Sequence, residues 1–186
     1  NDAVFERSDQ LNQHLQKVIQ QRPEHFRYLK GSASLLSSSE IEVKTESGSH
    51  KLFAENIIIA TGSRPRKLDS IPFDEKVIMT SDGISSLKEF PESLVILGAG
   101  VIGCEFATIF SNFGKTNVHL ISKDERILPF EDADMALAIE KNLEANGVLI
   151  HRLSKLDKME IIEGHVEYVI EHPDGKKETF HAEKAL

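Results

Sequence analysis

The residues best placed to do chemistry lie in Leu94-Val95-Ile96-Leu97-Gly98-Ala99-Gly100-Val101-Ile102-Gly103-Cys104-Glu105, an apolar run that breaks into closely spaced glycines and resumes at helical spacing. The pattern predicts a buried strand, a tight turn and a departing helix. Gly98 can turn where a side chain would collide, Gly100 lets backbone amides approach a pyrophosphate, and Gly103 lets the helix pack close on the strand. A phosphate would then sit at the helix N-terminus, where unpaired N–H groups and the positive end of the dipole favour an anion. Three glycines can fall at this spacing by chance, so the flanks decide. Ile102, Phe106, Ile109, Phe110 and Phe113 recur at helical steps and predict the buried face, Gly114 stops the helix, and Asn117–Ile121 supplies a second apolar strand. Together they make a complete β-turn-α-turn-β unit.

The elements that must position this turn are bounded by composition. The chain has 186 residues, more than one minimal domain and less than two full nucleotide-binding domains. A net charge of −8 without a dense Lys/Arg cluster argues against a nucleic-acid or anionic-membrane surface. No apolar stretch approaches membrane-spanning length and the opening residues are polar, so the expectation is a soluble, cytoplasmic protein. Cys104 is the only cysteine, which excludes an intrachain disulfide and a Cys/His metal cluster of the usual spacing. Its place at the helix start makes a low thiol pKa conceivable; a small buried packing residue is the preferred reading.

In chain order, Ser8–Gln21 reads as an amphipathic helix with Leu11, Leu15, Val18 and Ile19 on one stripe. Short segments follow: Phe26–Leu29, a serine-rich bend, then Glu40–Lys44 and Lys51–Ala54 about a Gly-containing turn, a hairpin signature. Asn56–Thr61 predicts a strand buried on both faces whose carboxyl end opens at Thr61-Gly62. Prolines mark residues 67–91 as a junction, with Ser81-Asp82-Gly83 capping a short helix through Leu87. Beyond the glycine unit, Asp132 or Asp134 caps a helix carrying Met135, Ile139 and Leu143, Val148–Ile150 is a third strand, and Lys155–Phe180 forms an antiparallel meander turning at Pro173-Asp174-Gly175. No internal repeat is visible. The eight histidines are scattered, and none is assigned a catalytic role.

Three motifs in order, Ile58-Ile59-Ala60-Thr61-Gly62-Ser63-Arg64-Pro65, then Gly98–Glu105, then Arg126-Ile127-Leu128-Pro129, resemble the pyridine nucleotide-disulfide oxidoreductases from Tyr28 onward. In that family a two-part FAD domain encloses an inserted NAD(P) domain. The resemblance implies an α/β fold: part of a FAD-binding domain over residues 1–66, a junction over 67–91, and a Rossmann-like NAD(P)-binding domain with parallel sheet and antiparallel meander over 92–186. It implies FAD and NAD or NADP as cofactors of a longer parent enzyme, of which this chain is a middle slice. The family's FAD glycine fingerprint, redox cysteine pair and C-terminal dimerisation domain have no counterpart here, so the parent is expected to be a homodimer through a domain outside this chain. Alone, the chain is expected not to catalyse disulfide chemistry.

Carried over by residue, the resemblance makes Gly98, Ala99, Gly100, Val101, Ile102 and Gly103 the pyrophosphate-binding turn. Thr61, Gly62 and Ser63 become flavin-side backbone contacts or a plain corner, with Ala33 at a turn near the FAD adenine. Glu105, in the first turn of the helix, either approaches the nicotinamide carboxamide or complements the helix dipole. Leu156 is an adenine wall or a core leucine. The second strand of such units ends in an acid that accepts from the ribose hydroxyls when NAD is bound. Here Ser122 takes that place with Lys123 after it: a serine cannot repel a 2′-phosphate and a lysine attracts one. Asp124 would reach the ribose if the strand ran longer, but Asp124 and Glu125 read better as a solvated turn, so NADP tolerance is expected. Electrons in the parent would be exchanged with a dithiol or with a second nicotinamide; a non-enzymatic nucleotide-binding or interaction module is the reading from another class.

Overall fold

A computed structural model describes residues 2–186, with side chains from Glu6 onward. The chain divides into two compact units, one ending at Ser63 and the other running from Arg64 to Leu186.

In the first unit, α1 (Asp2–Gln21) precedes an antiparallel sheet of β1 (Ser32–Leu35), β2 (Glu40–Thr45) and β3 (Gly48–Phe53), in that order. The β2–β3 hairpin pairs Glu40 with Phe53 and Thr45 with Gly48, so the turn lies where the sequence places it. Two expectations fail. Phe26–Leu29 is irregular and the strand forms later, at Ser32–Leu35, where alternating serines mask it. Asn56–Thr61 forms no strand: Ile58 is 90% exposed and Ile59 69%. β-Branched residues favour an extended chain, but a ladder needs a neighbour, and no strand among the described residues lies beside this run. The Leu11, Leu15 and Val18 stripe of α1 is likewise exposed.

The second unit is built on a parallel sheet ordered β10-β4-β5-β6, comprising β4 (Ser93–Leu97), β5 (Asn117–Ile121), β6 (Leu149–His151) and β10 (Lys184–Ala185). Helices α2 (Val101–Asn112) and α3 (Ala133–Ala145) make the crossovers. A meander of β7 (Lys155–Ile162), β8 (His165–Glu171) and β9 (Lys177–Ala182) completes it. Alternation along the strands sorts the core into two layers. Leu94, Ile96, Val118 and Leu120 pack with Cys104, Ala107, Phe110, Ala136 and Leu143 of the helices. Val95, Ile121 and Ala185 pack with Met159, Val166, Tyr168 and Ile170 of the meander. The result is helices, parallel sheet and antiparallel sheet, an α/β fold in three layers, and no described helix is long and apolar enough to cross a membrane.

Residues 67–91 are not a loose junction. Ile71, Ile78 and Met79 are buried, Met79 N–H donates to Ala185 O at 2.9 Å, and Ala185 N–H donates to Val77 O at 2.9 Å. Asp74 holds the amides of Lys76, Val77 and Ile78 at 2.8 to 3.0 Å. The division of the chain accordingly falls before Arg64, ahead of the proline-marked stretch. Within that stretch a short 3-10 turn, Gly83–Ser86, follows Asp82.

The buried side of α2 also differs from expectation. Gly103, Cys104, Ala107, Phe110 and Ser111 face inward, whereas Ile102, Ile109 and Phe113 are exposed and Phe106 is half-buried. The two stripes are offset by one position, and the smaller residues win because the helix must approach β4 closely. A Cβ on Gly103 would lie 1.9 Å from Gly98 O, with Ile96 Cγ2 behind it. α3 shows the same effect: Met135 is exposed while Ala136 and Leu143 are buried.

On the meander side, His119 Nδ1 lies 2.9 Å from the Tyr168 hydroxyl and 3.2 Å from His151 Nε2, and the Tyr168 and Phe180 rings stack at 5.5 Å. His172 and His181 each meet a carboxylate, Glu178 and Glu167, at 3.1 Å across the hairpin. Burial holds the His119 imidazole below the ordinary histidine value; His151 is lowered by burial, then by His119 and His172, with Glu178 opposing.

Two measurements follow from this packing. Gly103→Ala should destabilise the protein by about 1–3 kcal/mol in urea unfolding, the range of core overpacking. Because the unfolded chain binds protons at His119 and His151 before the folded one does, their share of stability should be full above about pH 6.5 and fall as pH drops below it. Carboxylates held low, such as Glu75, lose their share only further down, below about pH 4. Urea midpoints followed from about pH 7.5 to 5 should fall in the wild type and flatten in His119→Gln.

Candidate functional site

The site grows from the end of β4. After Leu97 the chain turns at Gly98 with φ +105°, a conformation that only glycine adopts without strain, and Gly98 N–H donates to Ile121 O at 3.0 Å. Gly100 caps α2 in an extended conformation, and Cys104 N–H donates back to Gly100 O at 3.0 Å. The amides of Val101, Ile102 and Gly103 consequently have no acceptor among the described residues. Apart from the adjoining residues of the chain, no heavy atom lies within 4 Å of where a Cβ on Gly98 or Gly100 would stand. Open space thus meets unpaired donors at the positive end of a helix, which fits a phosphate group.

The turn is buttressed from behind by the Arg126–Pro129 motif. Leu128 N–H donates to Ala99 O at 2.8 Å, and Arg126 closes the loop by donating to Pro129 O at 2.9 Å and Glu131 O at 3.1 Å. The Cys104 thiol packs 3.5 Å from the same Ala99 carbonyl. Burial, followed by the charge of Glu140, pushes that thiol up to about 11, so desolvation outweighs the helix dipole and Cys104 is a packing residue.

Two hollows meet at the turn. One, of about 430 Å³, is lined by Gly98, Gly100, Val101, Ile102 and Gly103 together with the segment from Pro65 to Ile71. The other, of about 450 Å³, brings Gly98, Ala99 and Gly100 together with Ser122, Lys123 and Leu156. Nine residues singled out from the sequence therefore surround one helix mouth.

The remaining candidates lie elsewhere. Glu105 is the fifth residue of α2, one past its first turn; it is exposed and lines a separate groove of about 650 Å³ with Val101, Thr108 and Asp132. Ala33, Thr61, Gly62 and Ser63 belong to the first unit and are all exposed. Ala33 is not at a turn: it sits within β1, paired with Val43. The amides of Thr61, Gly62 and Ser63 make no hydrogen bond among the described residues.

Ser122 also differs from the simplest expectation. Its hydroxyl is buried and satisfied within its own loop, accepting from Asp124 N–H at 3.2 Å and donating to Asp124 O at 3.1 Å. Its amide donates to His151 O at 2.9 Å, and its carbonyl accepts from Ser154 N–H at 2.9 Å. What the lip exposes is the Lys123 side chain. Arg66, Leu68 and Lys155 line the same hollow and carry no periodic signal in the sequence; the only pointer to Lys155 is its place beside Leu156.

Residues 2–185 match the pyridine nucleotide-disulphide oxidoreductase family. The chain is 38% identical over 154 residues to a dihydrolipoyl dehydrogenase of Bacillus subtilis, covering 78% of this chain and 33% of that one. It is 38% identical over 181 residues to a soluble pyridine nucleotide transhydrogenase of Yersinia enterocolitica, covering 91% and 38%. Among solved structures, LpdA from Mycobacterium tuberculosis superposes with a TM-score of 0.68 at 25% identity, over 84% of this chain and 34% of that chain. The HOCl-induced flavoprotein disulfide reductase RclA from Escherichia coli superposes with a TM-score of 0.64 at 29% identity, over the same shares. The chain thus spans about a third of the length of these relatives. Their shared family employs FAD and NAD(P)H in oxidoreductase chemistry. With a match running through both units and a glycine turn built to the geometry described, this chain belongs to the pyridine nucleotide-disulphide oxidoreductase family.

Proposed function

We propose that the second unit, through residues 92–186, forms the NAD(P)-binding part of a flavin-dependent oxidoreductase and that the first unit, within residues 1–66, belongs to its FAD-binding part. The observation that carries this reading is the set of free amides at Val101, Ile102 and Gly103, opening between two hollows across a glycine turn that leaves room for a phosphate. In this reading those amides hold the dinucleotide's diphosphate, Leu156 lies against the adenine, and Lys123 stands at the ribose. Thr61, Gly62, Ser63 and Ala33 offer exposed backbone to the FAD side. When bound, the two cofactors pass a hydride between nicotinamide and flavin. Glu105, exposed one turn into α2, helps place the nicotinamide ring.

The parent enzyme is most like a dihydrolipoamide dehydrogenase, with a soluble transhydrogenase as the alternative within the family; it works in the cytoplasm as a homodimer. The redox cysteines of such an enzyme are not in this chain, whose single cysteine is the buried Cys104. That burial favours one further reading for the chain on its own, a nucleotide-binding module without thiol chemistry.

The lip of the second hollow sets coenzyme choice. It presents no acid at Ser122, whose hydroxyl is already occupied, and an exposed lysine one residue on. NADPH should bind at least as tightly as NADH in a fluorescence titration; NADH binding about tenfold tighter, or more, contradicts this. Lys123→Glu should weaken NADPH by about tenfold or more while changing NADH little. Gly100→Ser tests the diphosphate itself. Serine is a good N-cap, so melting temperature should hold, but its side chain would occupy the amides and lower the affinity for both coenzymes by about tenfold or more.

A further inference from the structure

Both hollows at the α2 mouth share Arg66, which no motif singled out. It lies in the stretch from Pro65 to Ile71, fixed by the buried side chain of Ile71 and by Ile71 N–H donating to Leu68 O at 3.0 Å. The neighbouring cation is committed: Lys67 pairs with Glu75 at 2.7 Å and lies 5.9 Å from the Phe73 ring centre. Two other arginines of the second unit are spent on structure. Arg126 binds loop carbonyls, and Arg152 bridges Glu140 and Glu144. Arg66, Lys123 and Lys155, in contrast, form no ion pair or side-chain hydrogen bond among the described residues.

Charge separates this cleft from the rest of the unit. In a chain of net charge −8, the charged side chains lining the two hollows are Arg66, Lys123 and Lys155 against Asp124 alone. The groove between α2 and α3 carries Glu105, Glu131 and Asp132, and no cation. Lys123 and Lys155 line the second hollow only, whereas Arg66 also lines the first and is thus common to both sides of the glycine turn. A group bridging the two hollows across Gly98 and Gly100 passes Arg66. For a dinucleotide, that bridging group is the diphosphate, whose two negative charges exceed what the partial charge of one helix terminus balances.

We infer that Arg66 is a diphosphate-binding residue, its planar guanidinium supplying paired N–H donors to the phosphate oxygens in addition to the α2 amides. The inference rests on the dinucleotide reading above and adds to it a side chain from outside the glycine motif. It makes the segment from Pro65 to Ile71 one wall of the binding cleft.

The test compares the full chain with Arg66→Gln and Arg66→Lys in titrations with NADH, NADPH, ADP-ribose and adenosine, with melting temperatures alongside. Arg66→Gln should weaken the three diphosphates alike, by about tenfold to a hundredfold, leaving adenosine binding and melting temperature unchanged. Arg66→Lys should fall between, since it keeps the charge and loses the fork. Equal binding by wild type and Arg66→Gln overturns the assignment. So does a loss confined to NADPH, which would place Arg66 at the 2′-phosphate, or a loss that extends to adenosine with a lowered melting temperature, which would make the residue structural. Failure of the wild type to bind any of the dinucleotides removes the dinucleotide reading itself, and the role of Arg66 with it.

Discussion

The second unit depends on how closely α2 can approach the turn that feeds it. Gly103 sits so near the Gly98 carbonyl that no side chain fits between them. That contact sets the helix axis, and the axis aims the first-turn amides at open space instead of at protein acceptors. Every α-helix leaves its first amides unpaired. What is particular here is that Gly98 and Gly100 leave the space before them clear, while Leu128 and Cys104 hold the Ala99 carbonyl from behind. The turn is therefore rigid on its inner side and empty on its outer side, as a preorganised anion site requires.

The same constraint explains which apolar stripe of α2 is buried. Hydrophobic periodicity reports that Ile102, Phe106, Ile109, Phe110 and Phe113 lie along one side of a helix; it does not report which side the sheet touches. Close approach selects small residues for the contact, so Gly103, Ala107 and Ser111 are buried beside Phe110 while Ile102, Ile109 and Phe113 turn outward. Much else was legible. The β4-α2-β5 unit, the caps near Asp132 and Gly147, the meander strands and the hairpin at residues 46–49 all stand close to where spacing and turn chemistry place them. Local signals suffice when an element's partners are its neighbours in sequence.

What was not legible depends on distant partners. Asn56–Thr61 has the composition of a central strand, yet composition cannot supply the adjacent ladder, and Ile58 and Ile59 stand exposed. Residues 67–91 look like a linker because prolines interrupt any period. Their anchoring comes from a two-residue strand more than a hundred positions on, through Val77, Ile78, Met79 and Ala185. For the same reason Arg66 and Leu68 were invisible as cleft residues, whereas Gly98 to Gly103, Ser122 and Lys123 could be found from their place relative to a strand end, and Leu156 through the family resemblance alone.

The third layer has a part in the site although none of its buried rings lines the cleft. His151 ends β6 with its imidazole in the His119 and Tyr168 cluster, while its carbonyl accepts the Ser122 amide. Ser154, just before β7, returns to the Ser122 carbonyl, and Lys155 and Leu156 of β7 itself form part of the wall. The lip carrying Lys123 is thus fastened on both sides by chain that packs against, or belongs to, the meander. A parallel sheet with helices on one side only would leave that edge free to fray; covering its other face with an antiparallel sheet both buries Val95 and Ile121 and fixes the loop that carries Lys123.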